Sequence, residues 1–122
     1  MRKILVAEDD PASRELLRDI LSAWGYDVVE ACDGGEALRK IEETGPDLVL
    51  LDIQMPVLDG FAVLCQLRQD PRFAALPVVA VTAYAMRGDR EKTLKAGFNA
   101  YLSKPVDATA LRTRIEQLLR VG

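Results

Sequence analysis

Apolar residues occur along this chain in five short runs, and four of these runs are followed by a segment with apolar residues at helical spacing. Short continuous apolar runs are typical of strands buried on both faces of a parallel sheet. The second run is more mixed in polarity, which predicts a position nearer the sheet edge. Strand and helix alternate five times, and this order predicts an α/β fold, a doubly wound five-stranded parallel sheet with helices on both faces. The predicted strands are Lys3–Ala7, Tyr26–Ala31, Leu48–Asp52, Val78–Val81 and Ala100–Ser103.

Turn and capping residues indicate where the helices begin and end. Asp10 and Pro11 form a good helix start, with Asp10 as the cap and Pro11 in the first turn, and Gly25 stops this helix. The third helix is predicted to end before Pro71. The fourth, about Asp89–Ala96, has almost no apolar stripe, so we expect it to be weakly held.

Length and composition indicate one domain over residues 1–122. The chain is 49% hydrophobic with a net charge of −3, and acidic and basic residues are interspersed. Without a basic face, direct nucleic-acid binding is disfavoured.

The stretch Phe73–Met86 contains Pro77 and is shorter than the ~20 residues that span a bilayer, and the first residues lack a signal-peptide pattern. Cys32 and Cys65 lack metal-site spacing, so we expect reduced thiols in a cytoplasmic protein.

The sequence contains no histidine. This absence removes the usual general base at neutral pH and the commonest zinc ligand. It also excludes Ser-His and Cys-His catalysis within the chain. Chemistry in this domain must therefore come from carboxylates, a lysine, hydroxyl groups and a hard cation.

Polar side chains stand where four of the predicted strands end. They belong to Asp9 and Asp10, Asp52, Thr82 and Lys104. Taken alone, each has an ordinary structural role, such as capping a helix for Asp10 or lying in a turn for Lys104. Parallel strands bring their carboxyl ends to one edge of the sheet, where ligands bind. Their joint occurrence therefore favours a functional site.

The acidic residues indicate the kind of site. Two carboxylates about 4 Å apart repel by roughly 4 kcal/mol at an effective dielectric constant of ~20, so Asp9, Asp10 and Asp52 cannot all stay ionised at close range without compensation. Either a pKa rises or a cation binds. Oxygen ligands without His or Cys favour Mg²⁺ or a similar hard ion such as Mn²⁺. A divalent ion beside a carboxylate and a lysine suits phosphoryl transfer to a carboxylate, which gives an aspartyl phosphate.

Four motifs, in this order and at these intervals, give the chain a family resemblance. It resembles the receiver domain of two-component response regulators over essentially its whole length, and single-domain chemotaxis regulators in particular. The resemblance implies a flavodoxin-like (βα)5 fold with strand order 2-1-3-4-5. The motifs are Glu8-Asp9-Asp10, Leu51–Pro56 with Asp59-Gly60, Val81-Thr82-Ala83 and Tyr101–Pro105.

The resemblance also implies roles for residues at a phosphorylation site. Asp52 accepts a phosphoryl group from a phosphohistidine on a partner protein. Asp10 and Asp52 bind Mg²⁺ directly, with the backbone carbonyl of Gln54 as a further ligand. Asp9 acts mainly through metal-bound water, and Glu8 is expected to face solvent.

Further implied roles concern the response to phosphorylation. Lys104 pairs with one phosphoryl oxygen, Thr82 donates a hydrogen bond to another, and Tyr101 turns inward when Thr82 moves. The Lys104–Pro105 peptide bond is expected to be cis. The surface formed by the fourth helix, the fifth strand and the fifth helix then changes its affinity for a partner.

The expected partners follow from the same resemblance. Because the chain lacks a donor histidine, we expect a separate histidine kinase or histidine phosphotransfer protein as the phosphoryl donor. A downstream target protein is the second expected partner. The resemblance is also compatible with a phosphorylation-dependent homodimer. No membrane insertion is expected. The domain is expected to act as a switch that promotes its own phosphorylation and dephosphorylation rather than as an ordinary enzyme. Gln54 and Tyr84, at positions where the family varies, are expected to border the phosphoryl group.

Three alternatives to a single-domain regulator stay open at this point. A receiver domain excised from a longer response regulator or a hybrid histidine kinase would carry the same motifs. A phosphatase of the haloacid-dehalogenase type also uses an aspartyl nucleophile, but it has a second Asp where this chain has Gln54. A flavin-binding module with the same strand plan cradles phosphate after its first strand, where Glu8-Asp9-Asp10 would repel phosphate.

Overall fold

Strand and helix alternate throughout the computed structural model, which describes residues 2–83 and 89–121. The strands are β1 (Lys3–Ala7), β2 (Asp27–Ala31), β3 (Leu48–Asp52), β4 (Val78–Thr82) and β5 (Ala100–Ser103). The helices are α1 (Pro11–Ala23), α2 (Gly34–Thr44), α3 (Gly60–Gln69), α4 (Asp89–Ala96) and α5 (Ala108–Val121). The predicted elements are thus all found, with boundaries that differ by a few residues.

The strands form one parallel sheet in the order β2-β1-β3-β4-β5. This order confirms the predicted fold class and the edge position of the second strand. Strand β3 lies at the centre and is buried at every residue. Its last residue, Asp52, is paired in register with Val81 of β4. The acidic side chain of Asp52 therefore lies at the carboxyl edge of the sheet.

Helices cover both faces of the sheet, because side chains alternate between the two faces along each strand. One core layer lies between the sheet and helices α1 and α5, and it includes Ile4, Val6, Leu21, Leu50 and Ile115. The other lies between the sheet and helices α2 and α3, and it includes Leu5, Ile41, Leu51, Leu64 and Leu67. These two layers bury both faces of the sheet.

Aspartate caps begin three of the helices that follow this edge. The side chain of Asp10 accepts a hydrogen bond from the backbone of Ser13 at the start of α1, and Pro11 occupies the first turn, as predicted. Asp33 and Asp59 cap α2 and α3 in the same way. Each cap satisfies a backbone N–H that the helix itself cannot pair.

Helix α4 is anchored by little apolar surface. Of residues 90–96, only Thr93 is buried, and its hydroxyl has no hydrogen-bond partner within the described ranges. Arg68 of α3 instead fixes the chain just after the helix, donating to the Gly97 carbonyl and to Asn99 Oδ1 over 3.0 and 2.9 Å. The predicted lack of an apolar stripe is therefore confirmed in the part of α4 whose side chains are described.

Two surface predictions also have an outcome. No helix in the described ranges is both long and apolar enough to cross a membrane. Cys32 and Cys65 are both free and exposed.

Tyr84, which the sequence analysis expects beside the phosphoryl group, lies outside the described residues.

Candidate functional site

The carboxylate of Asp52 lies at the centre of a polar cluster at the carboxyl edge of the sheet. Asp52 is 5% exposed. Its Oδ1 accepts a hydrogen bond from the backbone N–H of Gln54 over 3.0 Å, and its Oδ2 lies 3.2 Å from Lys104 Nζ. The end of the central strand and the loop after β5 thus supply the two charges predicted to meet here.

The loop after β3 folds back tightly against the backbone of Asp52. The N–H of Gly60, at the start of α3, donates to the Ile53 carbonyl over 2.8 Å. A Cβ atom on Gly60 would lie 2.8 Å from both the Asp52 carbonyl oxygen and Ile53 Cα. Glycine at this position therefore permits the approach of α3 to the candidate phosphorylation site.

Glu8 is buried in the cluster, so the expectation that it faces solvent is wrong. It is 2% exposed, its Oε1 accepts a hydrogen bond from Lys104 Nζ, and its Oε2 accepts one from the backbone N–H of Asp10 over 3.2 Å. The Glu8 N–H donates to the Ala31 carbonyl, so the pairing of β1 with β2 continues one residue beyond the strand. The position of Glu8 immediately after a buried strand was the sequence signal for this placement.

The charges in the cluster shift the pKa values of two of its groups. Burial raises the pKa of Glu8, and the neighbouring Asp52 carboxylate raises it further, against the lowering effect of Lys104. Burial works against the charged form of Lys104, but its hydrogen bonds to Glu8 and Asp52 and the attraction of both carboxylates leave its pKa raised. One lysine therefore offsets part of the repulsion between two buried carboxylates.

Three carboxylates of the described chain are close enough together to hold a cation. They are those of Glu8, Asp9 and Asp52, whose ligand oxygens lie within 4.8 Å of one another. Asp9 is exposed, whereas the other two are buried, so the cluster is open on one side. An all-oxygen donor set of this kind suits a hard divalent ion.

Asp10, predicted as a direct metal ligand, does not belong to this cluster. Its Oδ2 accepts hydrogen bonds from the Ser13 hydroxyl and backbone N–H over 2.8 and 3.3 Å, and these bonds lower its pKa. The carboxylate is thus used to cap α1. The structure brings Asp9 and Glu8 to Asp52 in place of Asp10, and the Asp10-Pro11 capping signal had indicated this use.

The remaining predicted residues lie around the same edge. Thr82 is 2% exposed at the end of β4, and its carbonyl accepts the backbone N–H of Lys104 over 2.8 Å. Tyr101 of β5 is half-buried and packs against the core layer beneath α2 and α3. The Lys104–Pro105 peptide bond is cis, as predicted.

Comparison with known proteins gives a consistent result. The profile of the response regulator receiver domain matches residues 4–116. The polar-differentiation response regulator DivK of Brucella anthropi is 37% identical over 118 residues, which cover 97% of this chain and 96% of that protein. A Francisella response regulator receiver domain superposes with a TM-score of 0.91 at 31% identity, covering 99% and 98% of the two chains.

One solved structure similar to this chain also contains a metal ion. It is the receiver domain of a sensor histidine kinase from Pseudomonas aeruginosa, which has a magnesium ion coordinated in its active site cleft. It superposes with a TM-score of 0.90 at 34% identity and covers 98% of each chain. Both the fold and the sequence of this chain are therefore similar to those of phosphorylation-dependent signalling domains.

Proposed function

This chain belongs to the family of response regulator receiver domains, and from that premise we propose that Asp52 accepts a phosphoryl group from a phosphohistidine of a partner protein. Receiver domains take part in two-component signalling, in which they interact with histidine kinases and downstream targets. The observation that supports Asp52 as the acceptor is its position. Its buried carboxylate ends the central strand, within 3.2 Å of the Lys104 ammonium group and close to the carboxylates of Glu8 and Asp9.

In the proposed step, a carboxylate oxygen of Asp52 forms a bond to phosphorus while the bond from phosphorus to the donor imidazole nitrogen breaks. The nitrogen keeps the electron pair. Asp52 is held for this attack by the Gln54 N–H on one oxygen and by Lys104 on the other. The donor histidine lies outside these 122 residues, since the sequence contains none.

A divalent cation, Mg²⁺ or Mn²⁺, fits the oxygen cluster of Glu8, Asp9 and Asp52. We place Asp9 and Asp52 as its direct carboxylate ligands, because Glu8 already accepts hydrogen bonds from Lys104 and from the Asp10 N–H. The Gln54 carbonyl stays a predicted ligand. When bound, the ion supplies positive charge for the carboxylates and for the incoming phosphoryl oxygens.

Lys104 and Thr82 are proposed to contact the phosphoryl oxygens once Asp52 is phosphorylated. Lys104 is already within 3.2 Å of Asp52 Oδ2 and can move to a phosphoryl oxygen, and the Thr82 hydroxyl is proposed to donate to another. Thr82 is joined through its carbonyl to the backbone of Lys104, so a shift of β4 reaches the loop after β5. Tyr101, on β5, is proposed to follow this movement inward.

The surface of α4, β5 and α5 is the proposed site of changed partner affinity. A surface pocket of about 300 Å³ lies on this face, lined in part by Arg90, Tyr101, Pro105 and Asp107. The weak anchoring of α4 at Thr93 supports a role in switching, because mobile elements come from the less stable parts of a fold. Identical amide exchange in residues 90–96 with and without beryllofluoride, a stable phosphoryl mimic, would contradict this mechanism.

Phosphorylation with a small-molecule donor tests the acceptor directly. The protein is incubated with acetyl phosphate and Mg²⁺, and its intact mass is measured. We expect one added phosphoryl group in the native chain and none in Asp52→Ala, nor in the native chain when EDTA replaces Mg²⁺. Asp27→Ala, which changes an exposed aspartate of the edge strand β2, is the matched control and should be labelled like the native protein. Labelling that persists in Asp52→Ala would place the acceptor elsewhere.

Cytoplasmic location and phosphorylation-dependent dimerisation stay predictions. Cys32 and Cys65 are free and exposed, which is compatible with the reduced thiols expected in the cytoplasm. Sedimentation of the protein with and without beryllofluoride tests dimerisation, since a change in molecular mass would be seen only with the mimic bound.

A further inference from the structure

Arg14 of α1 reaches the loop that carries the acidic cluster. Its Nη1 donates to the carbonyl oxygen of Glu8 over 3.0 Å. Its Nε lies 3.4 Å from Glu30 Oε1 on the edge strand β2, and the Arg14 side chain is 18% exposed. A single guanidinium group therefore joins the helix, the loop after β1 and the neighbouring strand.

The carbonyl held by Arg14 belongs to the peptide unit between Glu8 and Asp9, the two cluster residues that are adjacent in sequence. A peptide unit is planar and moves as one body, so a hydrogen bond to its oxygen limits the rotation of the whole unit about the bonds on either side of it. A hydrogen bond from a charged donor is stronger than one from a neutral donor. Arg14 thereby restricts the directions in which both carboxylates leave the backbone.

We propose that Arg14 is a positioning residue for the acidic cluster, and that by holding the Glu8–Asp9 peptide it sets the affinity of the cluster for a divalent cation. This inference rests on the proposed function, which takes the cluster as the cation site. Arg14 acts here through a backbone oxygen, so its contribution comes from geometry. Arginine suits this role because its planar guanidinium holds its N–H groups in fixed, diverging directions, whereas a lysine ammonium is a compact charge at the end of a flexible stem.

Arg18 provides a matched control on the same helix. Its Nη1 lies 3.6 Å from Glu30 Oε2, so it shares the contact to β2, and its other ion pairs are with Glu15 and Asp19 on α1. A role of Arg14 limited to joining α1 to β2 predicts similar effects from Arg14→Met and Arg18→Met. A role in positioning the cluster predicts that only Arg14→Met affects the cation.

The first measurement is the Mg²⁺ dissociation constant, from amide shifts in NMR titrations at a temperature where each variant is fully folded. We expect Arg14→Met to weaken Mg²⁺ binding about tenfold, equivalent to about 1.4 kcal/mol, and Arg18→Met to change it by less than about twofold. Arg14→Met binding Mg²⁺ within about twofold of the native protein would overturn the inference, as would an equal loss in Arg18→Met.

The second measurement needs no metal. The carbonyl carbon of Glu8 and the amide nitrogen of Asp9 report the hydrogen bond to the peptide that joins them. Their chemical shifts should move in metal-free Arg14→Met and stay at native values in Arg18→Met. Native shifts in Arg14→Met would show that the peptide is held without the guanidinium, which contradicts the inference.

Arg14→Lys carries the test if Arg14→Met does not fold. This variant keeps the positive charge. If the chemical shift of the Glu8 carbonyl carbon is displaced, Mg²⁺ binding should be weakened; if that shift is native, the Mg²⁺ affinity should be native as well. Native affinity with a displaced shift would overturn the inference. Failure of the native chain itself to bind Mg²⁺ would instead reject the proposed function, so the two failures are distinguishable.

Discussion

Lys104 Nζ lies 3.2 Å from Asp52 Oδ2, and the same ammonium group is hydrogen-bonded to Glu8 Oε1. These residues come from three different strand ends, and the exposed fractions of the Lys104, Glu8 and Asp52 side chains are only 21%, 2% and 7%. A single cation therefore compensates two carboxylates that have little access to water. We therefore expect the stability of the domain to change when Lys104, Glu8 or a bound cation is removed or added.

Removal of the lysine should destabilise the metal-free protein. In Lys104→Met, both carboxylates lose their compensating charge, and we expect a loss of about 1–3 kcal/mol at pH 7, less than for a fully buried pair because Lys104 retains some solvent access. Urea denaturation in EDTA measures it. Lys95→Met, at the exposed end of α4, should lie within about 0.5 kcal/mol of the native protein. Equal effects in both variants would contradict the proposed compensation.

Removal of the Glu8 charge should instead stabilise the metal-free protein. Its raised pKa, caused first by burial and then by Asp52, means that the native state binds this proton more tightly than the unfolded state does. Ionisation of Glu8 therefore lowers native stability as the pH rises above the ordinary pKa of 4.5. We expect metal-free Glu8→Gln to be more stable than the native protein at pH 7, with the difference shrinking towards pH 4.

Denaturation of Glu8→Gln across this pH range checks that expectation. Glu43→Gln, an exposed change on α2, is the control and should show no comparable gain at pH 7. A Glu8→Gln variant less stable than the native protein at pH 7 would mean that the hydrogen bond to Lys104 outweighs the cost of burial.

Addition of Mg²⁺ should separate the roles of Asp9 and Asp10. A ligand at 100 times its dissociation constant stabilises the native state by about 2.7 kcal/mol, and we expect this gain in the native protein and in Asp10→Asn, since asparagine also caps helices well. Asp9→Asn and Asp52→Asn should lose it. Thermal unfolding with and without Mg²⁺ measures the gain. A gain kept in Asp9→Asn but lost in Asp10→Asn would support the arrangement that the sequence alone implied.

Gly60→Ala should disturb the acceptor without touching its side chain. The added Cβ would meet the backbone of Asp52 and Ile53 at 2.8 Å, and backbone atoms cannot give way as a flexible side chain can. We expect a loss of about 1–3 kcal/mol and slower phosphorylation by acetyl phosphate. Gly35→Ala is the control: its Cβ would make ordinary contacts, with Asp33 Oδ1 at 3.4 Å nearest. It should be neutral or stabilising by about 0.5 kcal/mol. Equal losses would contradict the backbone argument.

Thr93→Val should stabilise α4. The Thr93 hydroxyl is buried and has no partner among the residues that the structure describes, and its replacement by a methyl group of similar size removes a desolvation cost of about 1 kcal/mol. Amide exchange in residues 90–96 should slow. Thr113→Val, on an exposed position of α5 where the hydroxyl donates to the Thr109 carbonyl, should change little. Faster exchange in Thr93→Val would mean that the hydroxyl contributes to holding the helix.

Much of the architecture was predictable because it depends on local pattern. The apolar run Leu48–Asp52 and its neighbours predicted the strands, since burial on both faces requires continuous apolar residues. Asp10 and Pro11 predicted the start of α1, because a cap and a fixed φ angle act within a few residues. The lack of apolar residues in α4 likewise predicted its weak anchoring.

The sequence by itself thus determined the order of strands and helices, the edge at which Asp52 and Lys104 meet, and the family of the chain. Only the tertiary structure decided which of the three consecutive acidic residues face Asp52. Glu8, Asp9 and Asp10 have the same kind of charge, so composition and spacing cannot separate them. Asp10 accepts a hydrogen bond from the Ser13 hydroxyl and so caps the helix. Glu8 accepts one from Lys104, which lies 96 residues away in sequence, and so faces the cluster. Contacts between residues so far apart in sequence exist only when the sheet has formed.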